Sequence, residues 1–342
     1  MKVAIHNSKY TDNFSTKWIE YCNFKQIDYK LVNCNDSDIV TQLADCDGLL
    51  WHWLQWDCRE VLFARQLIKS LEHKGCKVFP DSKTCWHFDD KVGQKYLLEA
   101  IKAPFVQSFV FYDEQQARNW AKETTYPKVF KLRGGAGSVN VKLVKDKFQA
   151  NLLIHKAFRR GFLRTNRLNR LSDKFMKLKR NMNLENIMYL IKGLLRLIYP
   201  SYDDRMPGRE KGYVYFQEFI PNNKYDIRVV VIGNKAFAIK RYVRKNDFRA
   251  SGSGNFAFDQ GEIPIECVQS AFQIAKSLQT QCIALDFITD GKAFLIVEIS
   301  YGFVSRVYLS CPGYWDNELN WHQGSFIPEW LMIEDFIAAI VS

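Results

Sequence analysis

The chain has 342 residues, of which 47% are hydrophobic and 25% charged, with a formal net charge of +11. This balance is ordinary for a folded globular protein and argues against disorder and against a membrane channel, while the length suits two or three packed subdomains. No run reaches the eighteen or so apolar residues of a spanning helix, and MKVAIHNSKY is too short in apolar run for a signal peptide. The nine cysteines contain no CxxC pair, so reduced thiols in a cytoplasmic protein are expected. Cys22, Cys34, Cys46 and Cys58 recur every twelve residues, but they share no other pattern and the period is read as chance.

In chain order, short apolar strands alternate with helical stretches: VAIHN, Ser15 to Phe24, YKLVN, Asp36 to Ala44, GLLWHW, Arg59 to Glu72 and KVFP. This predicts a small parallel α/β domain over residues 1–85. Ligands of such sheets meet the carboxyl ends of strands, which makes His6, Asn7, Ser8, Trp51, His52 and Trp53 acceptor-site candidates; core packing is the commoner use of the tryptophans. A helix from about Asp89 follows, then strand, helix, strand, a glycine loop and strand.

The loop lies in VFKLRGGAGSVNV, where Lys131 precedes Gly134, Gly135 and Gly137, with Ser138 following. Glycines let backbone N–H groups converge on phosphate oxygens, and the lysine adds compact positive charge. A tight hairpin turn would also use glycines, and the segment has neither a P-loop ending nor dinucleotide-fold spacing.

Between Arg159 and Lys211 stand 14 Lys and Arg against 5 Asp and Glu, a net +9, so most of the chain's charge is local. Within this segment Met182 to Tyr199 carries Leu184, Ile187, Leu190, Ile191, Leu194, Leu195 and Ile198 at three-to-four spacing, an amphipathic helix. Three uses are open: a helical hairpin packed on the body with a solvated basic face, contact with anionic lipid or an anionic polymer, and nucleic acid, which the sparse aromatics disfavour.

After the strand YVYFQEFI, the meander DIRVVVIGNKAFAIKRYVRKNDFRASGSGN sets Arg228, Lys240, Arg241, Arg244 and Arg249 on or beside strands. Alternation turns some of them inward, where guanidinium forks suit phosphate; singly, each reads as a surface ion-pair partner. A helix around Ile265 to Gln279 precedes the hairpin LDFITDGKAFLIVEIS. Its Asp290-Gly291 turn places Asp286 and Glu298 at similar distances on neighbouring apolar strands, a hard-oxygen pair suited to magnesium.

Taken together, the helix-start lysine Lys91, Lys131 before its glycine loop, the Gln-Glu-Phe-Ile strand, Asp-x-Arg, Lys-Arg, and Asp with Glu twelve residues on resemble the ATP-grasp superfamily. The likeness is nearest to ligases of the ribosomal-protein glutamate ligase type and covers about residues 82–305. It implies an α/β (α+β) ATP-grasp fold: a pre-grasp domain over 1–85, a lid subdomain over 86–215 containing the basic insert 159–211, and a C-terminal subdomain over 216–342, the two lobes clamping ATP. It further implies that Lys91 and Lys131 hold ATP phosphates, with Lys131 also near the adenine, and that Gly134 to Ser138 cover the phosphates. Gln217, Glu218, Phe219 and Ile220 would meet the adenine edge, Asp226 the ribose, and Lys240 the nucleotide. Arg228, Arg241 and Arg249 would contact phosphate and acyl phosphate, and Asp286 and Glu298 would bind two Mg2+ ions. Ser300 stands where the family keeps an asparagine ligand, and Ala284 where some members keep an arginine whose work Arg241 or Arg249 can do.

The implied activity joins a carboxylate to an amine through an acyl phosphate. Arg306, Tyr314, Trp315, Trp321 and His322 in the tail suit a uronic acid on a lipid-linked or polymeric glycan, hence polysaccharide biosynthesis at the inner face of the membrane. The alternatives are an amino-acid or peptide ligase, and a nonenzymatic basic protein binding nucleic acid or membrane, which would need neither Asp286 nor Glu298.

Overall fold

The computed structural model describes residues 1–10, 12–135, 140–163, 178, 182–199, 208–243, 249–250, 252 and 254–342. They form two compact units, Met1–Val106 with Ile220–Ser342, and Gln107–Phe219.

The first unit begins with β1 (Lys2–His6), α1 (Ser15–Lys25), β2 (Asp28–Val32), β3 (Gly48–Leu50), α2 (Cys58–His73) and β4 (Lys77–Phe79), which build a parallel sheet in the order β2-β1-β3-β4. Parallel strands need crossover connections and cover on both faces. Strand alternation supplies it: Val3 and Ile5 pack with Trp18 and Phe79, while Ala4 packs on the other side with Leu49, Trp51 and Ile68. The expected helix at Asp36 to Ala44 is one turn, Ile39–Gln42, and the GLLWHW strand stops at Leu50. α3 (Lys91–Ala100) starts after Asp90, whose carboxylate accepts from the Gly93 N–H at 3.0 Å.

The second unit contains β5 (Ser108–Phe111), α4 (Glu114–Glu123), β6 (Lys128–Lys131), β7 (Lys142–Val144), α5 (Lys147–Phe158), β8 (Phe162–Leu163), α6 (Leu184–Ile198), β9 (Arg209–Glu210) and β10 (Val214–Glu218). Its antiparallel sheet runs β5-β10-β6-β7. Phe130, Val214 and Phe216 face the alanine-rich sides of α4 and α5, with Ala117, Ala121, Ala150 and Ile154 in contact range of one core. Alternation therefore turns Lys131, Tyr215 and Gln217 to the other face. β8 and β9 pair as the stem of the basic insert, Phe162 opposite Glu210.

The chain then returns to the first unit with β11 (Tyr225–Ile232), β12 (Lys235–Tyr242), β13 (Phe256–Ala257), α7 (Ile265–Leu278), β14 (Cys282–Thr289), β15 (Phe294–Ser300), β16 (Gly313–Asp316), β17 (Trp321–Gln323) and α8 (Pro328–Val341). The sheet order is β15-β14-β11-β12-β16-β17, with β13 on β12. One face, with Ile227, Val229, Val231, Ile283 and Leu285, is covered by α7. The other, with Val230, Ile232, Phe237, Ile239 and Ala284, shares a core with Leu331, Met332 and Phe336 of α8 and with Val3 and Ile5 of β1. Gly48 permits that approach, because a Cβ there would lie 2.6 Å from Phe336 Cζ. α8 has no counterpart in the sequence reading, since no side chain caps the helix and its start is marked by Pro328 and Glu329 in its first turn.

Candidate active site

The alternation that sends Val230 and Ile232 toward α8 puts Asp226 and Arg228 on the same face of β11, and Arg241 and Asp286 fall on that face of β12 and β14. Register sets Arg228 opposite Asp286 and Asp226 opposite Arg241. Arg228 donates from Nε and Nη2 to the two oxygens of Asp286 at 2.5 and 2.9 Å. Arg241 does the same to Asp226 at 2.6 and 2.7 Å, and its Nη2 lies 2.9 Å from Asp286 Oδ2. Asp226, Arg241 and Asp286 are buried. Isolated charges could not be held there; two arginines and two aspartates sum to zero and satisfy one another. Burial by itself raises the pKa of Asp286, but Arg228 and Arg241 outweigh it and hold the carboxyl at about 2. Tyr308, which the sequence reading missed, is buried within electrostatic reach of Arg228, Arg241 and Asp286; burial above all raises its pKa, so its hydroxyl is neutral.

Glu298 stands opposite Asp286 in register, beside an irregularity in the β14–β15 pairing, and its side chain is 30% exposed. Lys91, the first residue of α3, reaches Glu298 Oε1 at 3.0 Å, and Gln94 one turn on accepts from the Ile299 N–H at 3.3 Å, tying α3 to β15. The helix-start lysine and the hairpin carboxylate, far apart in sequence, thus meet. Ser300 is otherwise engaged: its hydroxyl donates to the Gly302 carbonyl at 2.8 Å and accepts from the Gly302 N–H at 3.1 Å. Among the described residues no three His, Cys, Asp or Glu side chains gather as a closed metal cage. Two opposed carboxylates fit magnesium all the same, because that ion commonly takes one or two carboxylates and completes its octahedron with phosphate oxygens and water.

Lys240 points to the opposite face of β12 from Arg241, paired with Glu262 at 2.9 Å and lying over the Tyr225 ring. Arg249 is half-buried, and Arg244 lies outside the described residues.

In the second unit Lys131 donates to Gln217 Oε1 at 2.6 Å, Gln217 Nε2 donates to Ser108 Oγ at 3.1 Å, and the Tyr215 hydroxyl donates to Ser108 Oγ at 2.8 Å. All four residues are buried, on the face away from the helices. Glu218 is bound through both oxygens by Lys128, at 2.6 and 2.8 Å, a partner that the sequence reading did not single out. Phe219 ends this unit and Ile220 begins the return to the first. At the start of the glycine loop the N–H groups of Arg133 and Gly134 donate to the Glu210 carboxylate at 3.1 and 3.3 Å, and Gly135 has a φ of 118°. Gly137 and Ser138 lie outside the described residues.

The acceptor candidates divide. His6, Trp51, His52 and Trp53 are core residues: His52 stacks on Phe14 at 3.6 Å, and burial drives its pKa down to about 3. Trp315 is buried too, with Trp321 against it at 4.6 Å. Tyr314 stacks on His322 at 5.2 Å, His322 meets Asp316 at 2.7 Å, and Arg306 is 72% exposed beside Asp12.

Residues 205–303 match the family model of the RimK-like ATP-grasp domain. No curated protein matches the chain. Among solved structures, a RimK domain protein ATP-grasp from Sphaerobacter thermophilus is similar with 16% identity and a TM-score of 0.57, over 99% of this chain and 100% of that one. D-alanine–D-alanine ligase from Bacillus anthracis, complexed with ATP, is similar at 12% identity and a TM-score of 0.54, over 100% and 98%. The biotin carboxylase domain of Hydrogenobacter thermophilus 2-oxoglutarate carboxylase, in complex with MgADP and bicarbonate, gives 13% and 0.57 over 97% and 68%. At these identities the likeness is one of fold.

Proposed function

On the premise that the chain has the ATP-grasp fold and carries a RimK-like ATP-grasp domain over residues 205–303, we propose that it is an ATP- and magnesium-dependent carboxylate–amine ligase. The observation that carries the reading is the opposed pair Asp286 and Glu298, set on one sheet among Arg228, Arg241 and Lys91. The ATP and MgADP complexes of the similar proteins support the same nucleotide and metal here.

Asp286 and Glu298 would hold magnesium, which when bound draws charge from the phosphate oxygens. Lys91, Arg228, Arg241 and Arg249 neutralise charge on the phosphoryl group in transfer. Lys131 contributes to phosphate binding, and Gln217 with the Glu218–Ile220 backbone reads the adenine edge. Asp226, which the family resemblance gives to ribose, holds Arg241 in this structure and positions it. In the reaction a carboxylate oxygen attacks the γ-phosphorus as the bond to ADP breaks, its electron pair leaving with ADP. The amine nitrogen then attacks the acyl carbon, phosphate leaves with its bonding electrons, and the nitrogen releases a proton to give the amide. These residues supply position and charge, with no nucleophilic serine or cysteine required.

For the carboxylate we propose a uronic acid on a lipid-linked or polymeric glycan, which would place the protein peripherally at the membrane. The exposed Arg306 and the stacked Tyr314 and His322 support it, since guanidinium grips carboxylate and rings stack on sugar. An amino acid or peptide is the competing substrate. The test is phosphate release from ATP with pooled carboxylates and amines: dependence on magnesium and on both partners is expected. No release with any pair, together with salt-sensitive binding that ignores ATP, would favour a nonenzymatic binding protein.

A further inference from the structure

The charged and polar faces leave one large feature of the second unit without a use. α6 begins at Asn183, whose side chain accepts from the Asn186 N–H at 2.8 Å, and its fifteen residues make a rod about 22 Å long. Leu184 is 81% exposed, Ile187 39%, Met188 56%, Ile191 50%, Leu194 48% and Leu195 53%. At 3.6 residues per turn these six fall within a single arc of roughly 120°. Exposed Lys192 borders that arc beside Met188, and the less exposed Asn186, Leu190 and Gly193 form the opposite face. A globular protein ordinarily turns such an apolar arc into its core, as α7 does with Val268, Ala271 and Ile274. Here the arc meets solvent, and contiguous apolar surface of this kind marks an interaction site.

Charge selects the occupant. The segment 159–211 carries 14 Lys and Arg against 5 Asp and Glu, and Arg159, Arg160, Lys192, Arg209 and Lys211 are exposed. A second copy would bring the same excess of positive charge against it, and nucleic acid has no use for six aliphatic side chains. An anionic bilayer answers both properties at once. Among the described residues no helix is long and apolar enough to cross a membrane, so the geometry is that of a helix lying in the interface.

We propose that α6 seats the protein on anionic phospholipid, its apolar arc entering the boundary between headgroups and acyl chains while exposed Arg159, Arg160, Lys192, Arg209 and Lys211 supply positive charge toward lipid phosphates. The purpose of this surface rests on the reading of the acceptor as membrane-associated, whereas its existence is independent of the ligase reaction.

The full chain is expected to co-sediment with vesicles containing phosphatidylglycerol and to leave pure phosphatidylcholine vesicles unbound, with binding weakened by salt. Ile191→Glu with Leu194→Glu should weaken binding at least about tenfold. Ile191→Gln with Leu194→Gln, checked for a native circular dichroism spectrum, gives the same reading without added charge. Four results would overturn the proposal: undiminished binding by the folded variants, equal binding to both vesicle types, a salt-insensitive dimer in light scattering that the substitutions dissolve in the absence of lipid binding, or binding of an oligonucleotide but not of vesicles. Phosphate release with soluble partners should be unchanged in the variants. Lipid binding without any phosphate release would remove the ligase reading and leave this one standing.

Discussion

Each unit presents a buried polar face, and the two are built on opposite principles. The face of β11, β12 and β14 carries four ions, Asp226, Arg228, Arg241 and Asp286, paired directly through eight heteroatoms. On the face of β5, β6 and β10, Lys131 donates to Gln217, which continues through Ser108 to Tyr215 in a run of neutral side chains. In the first, every ion depends on another for its place in a low-dielectric setting, so loss of one strands the rest. In the second, each hydrogen bond is worth little net and can be exchanged for a bond to a ligand. A lattice of ions suits a charged, metal-bound phosphate; a chain of neutral donors and acceptors suits a neutral heterocyclic edge.

The contrast breaks most readily at Asp286. Asp286→Ala leaves Arg228 and Arg241 short of a counter-ion and should cost about 3–5 kcal/mol in urea unfolding; a cost within experimental error would show that the ions are independent. Loss of turnover in that variant would therefore not by itself identify a metal ligand. Glu298→Gln is the cleaner probe, since it keeps an acceptor for Lys91: turnover should fall about 10²–10³-fold, equivalent to about 3–4 kcal/mol of barrier, with unfolding little changed. Near-normal turnover in a folded Glu298→Gln would take magnesium away from this pair.

Acid separates the faces further. Asp286 titrates lower in the folded protein than in the unfolded chain, so between its ordinary carboxylate range and about 2 the unfolded chain binds the extra proton. Its contribution is whole above about pH 4 and is lost as pH falls through that window, about 2 kcal/mol in all. Other depressed carboxylates, Asp316 among them, add to the slope, so urea midpoints across the window should fall more steeply in the wild type than in Asp286→Asn. The smallest effect belongs to the neutral face: Ser108→Ala should cost about 1 kcal/mol and leave the acid slope intact. A cost near that of Asp286→Ala would erase the distinction.

Much of the charged face was legible in the sequence because ions inside apolar strands are costly and therefore conspicuous. Counting from the Asp290-Gly291 turn brings Asp286 near Glu298 but strictly opposes it to Val297; the irregularity between Asp286 and Phe287 sets Glu298 in register. The pairing of Arg228 with Asp286 and of Arg241 with Asp226 could not be read at all, since it depends on which strands become neighbours in a sheet of order β15-β14-β11-β12. Alternation alone places Asp226 beside Arg228, and it also turns Lys240 away from Arg241, a step that the sequence reading did not take. Tyr308 left no signal: an aromatic in a loop-rich tail declares nothing until the fold carries it to the arginines. His52, Trp53 and Trp315 went the other way, attractive by type and by position after strands, yet consumed by packing. α8 was missed for want of a cap, although its apolar residues complete the core over β11 and β12.

The stem formed by β8 and β9 sets Leu163 beside Arg209, so the two ends of the basic insert are held together. Sequence framed by such paired ends can be shortened or exchanged as a cassette without parting the strands that frame it. The limit of the cassette is Glu210, one residue past Arg209, whose carboxylate already serves the N–H groups of Arg133 and Gly134. A shortened chain rejoined across the Leu163–Arg209 pair keeps that contact with the glycine loop; one cut past the Phe162–Glu210 pair gives it up.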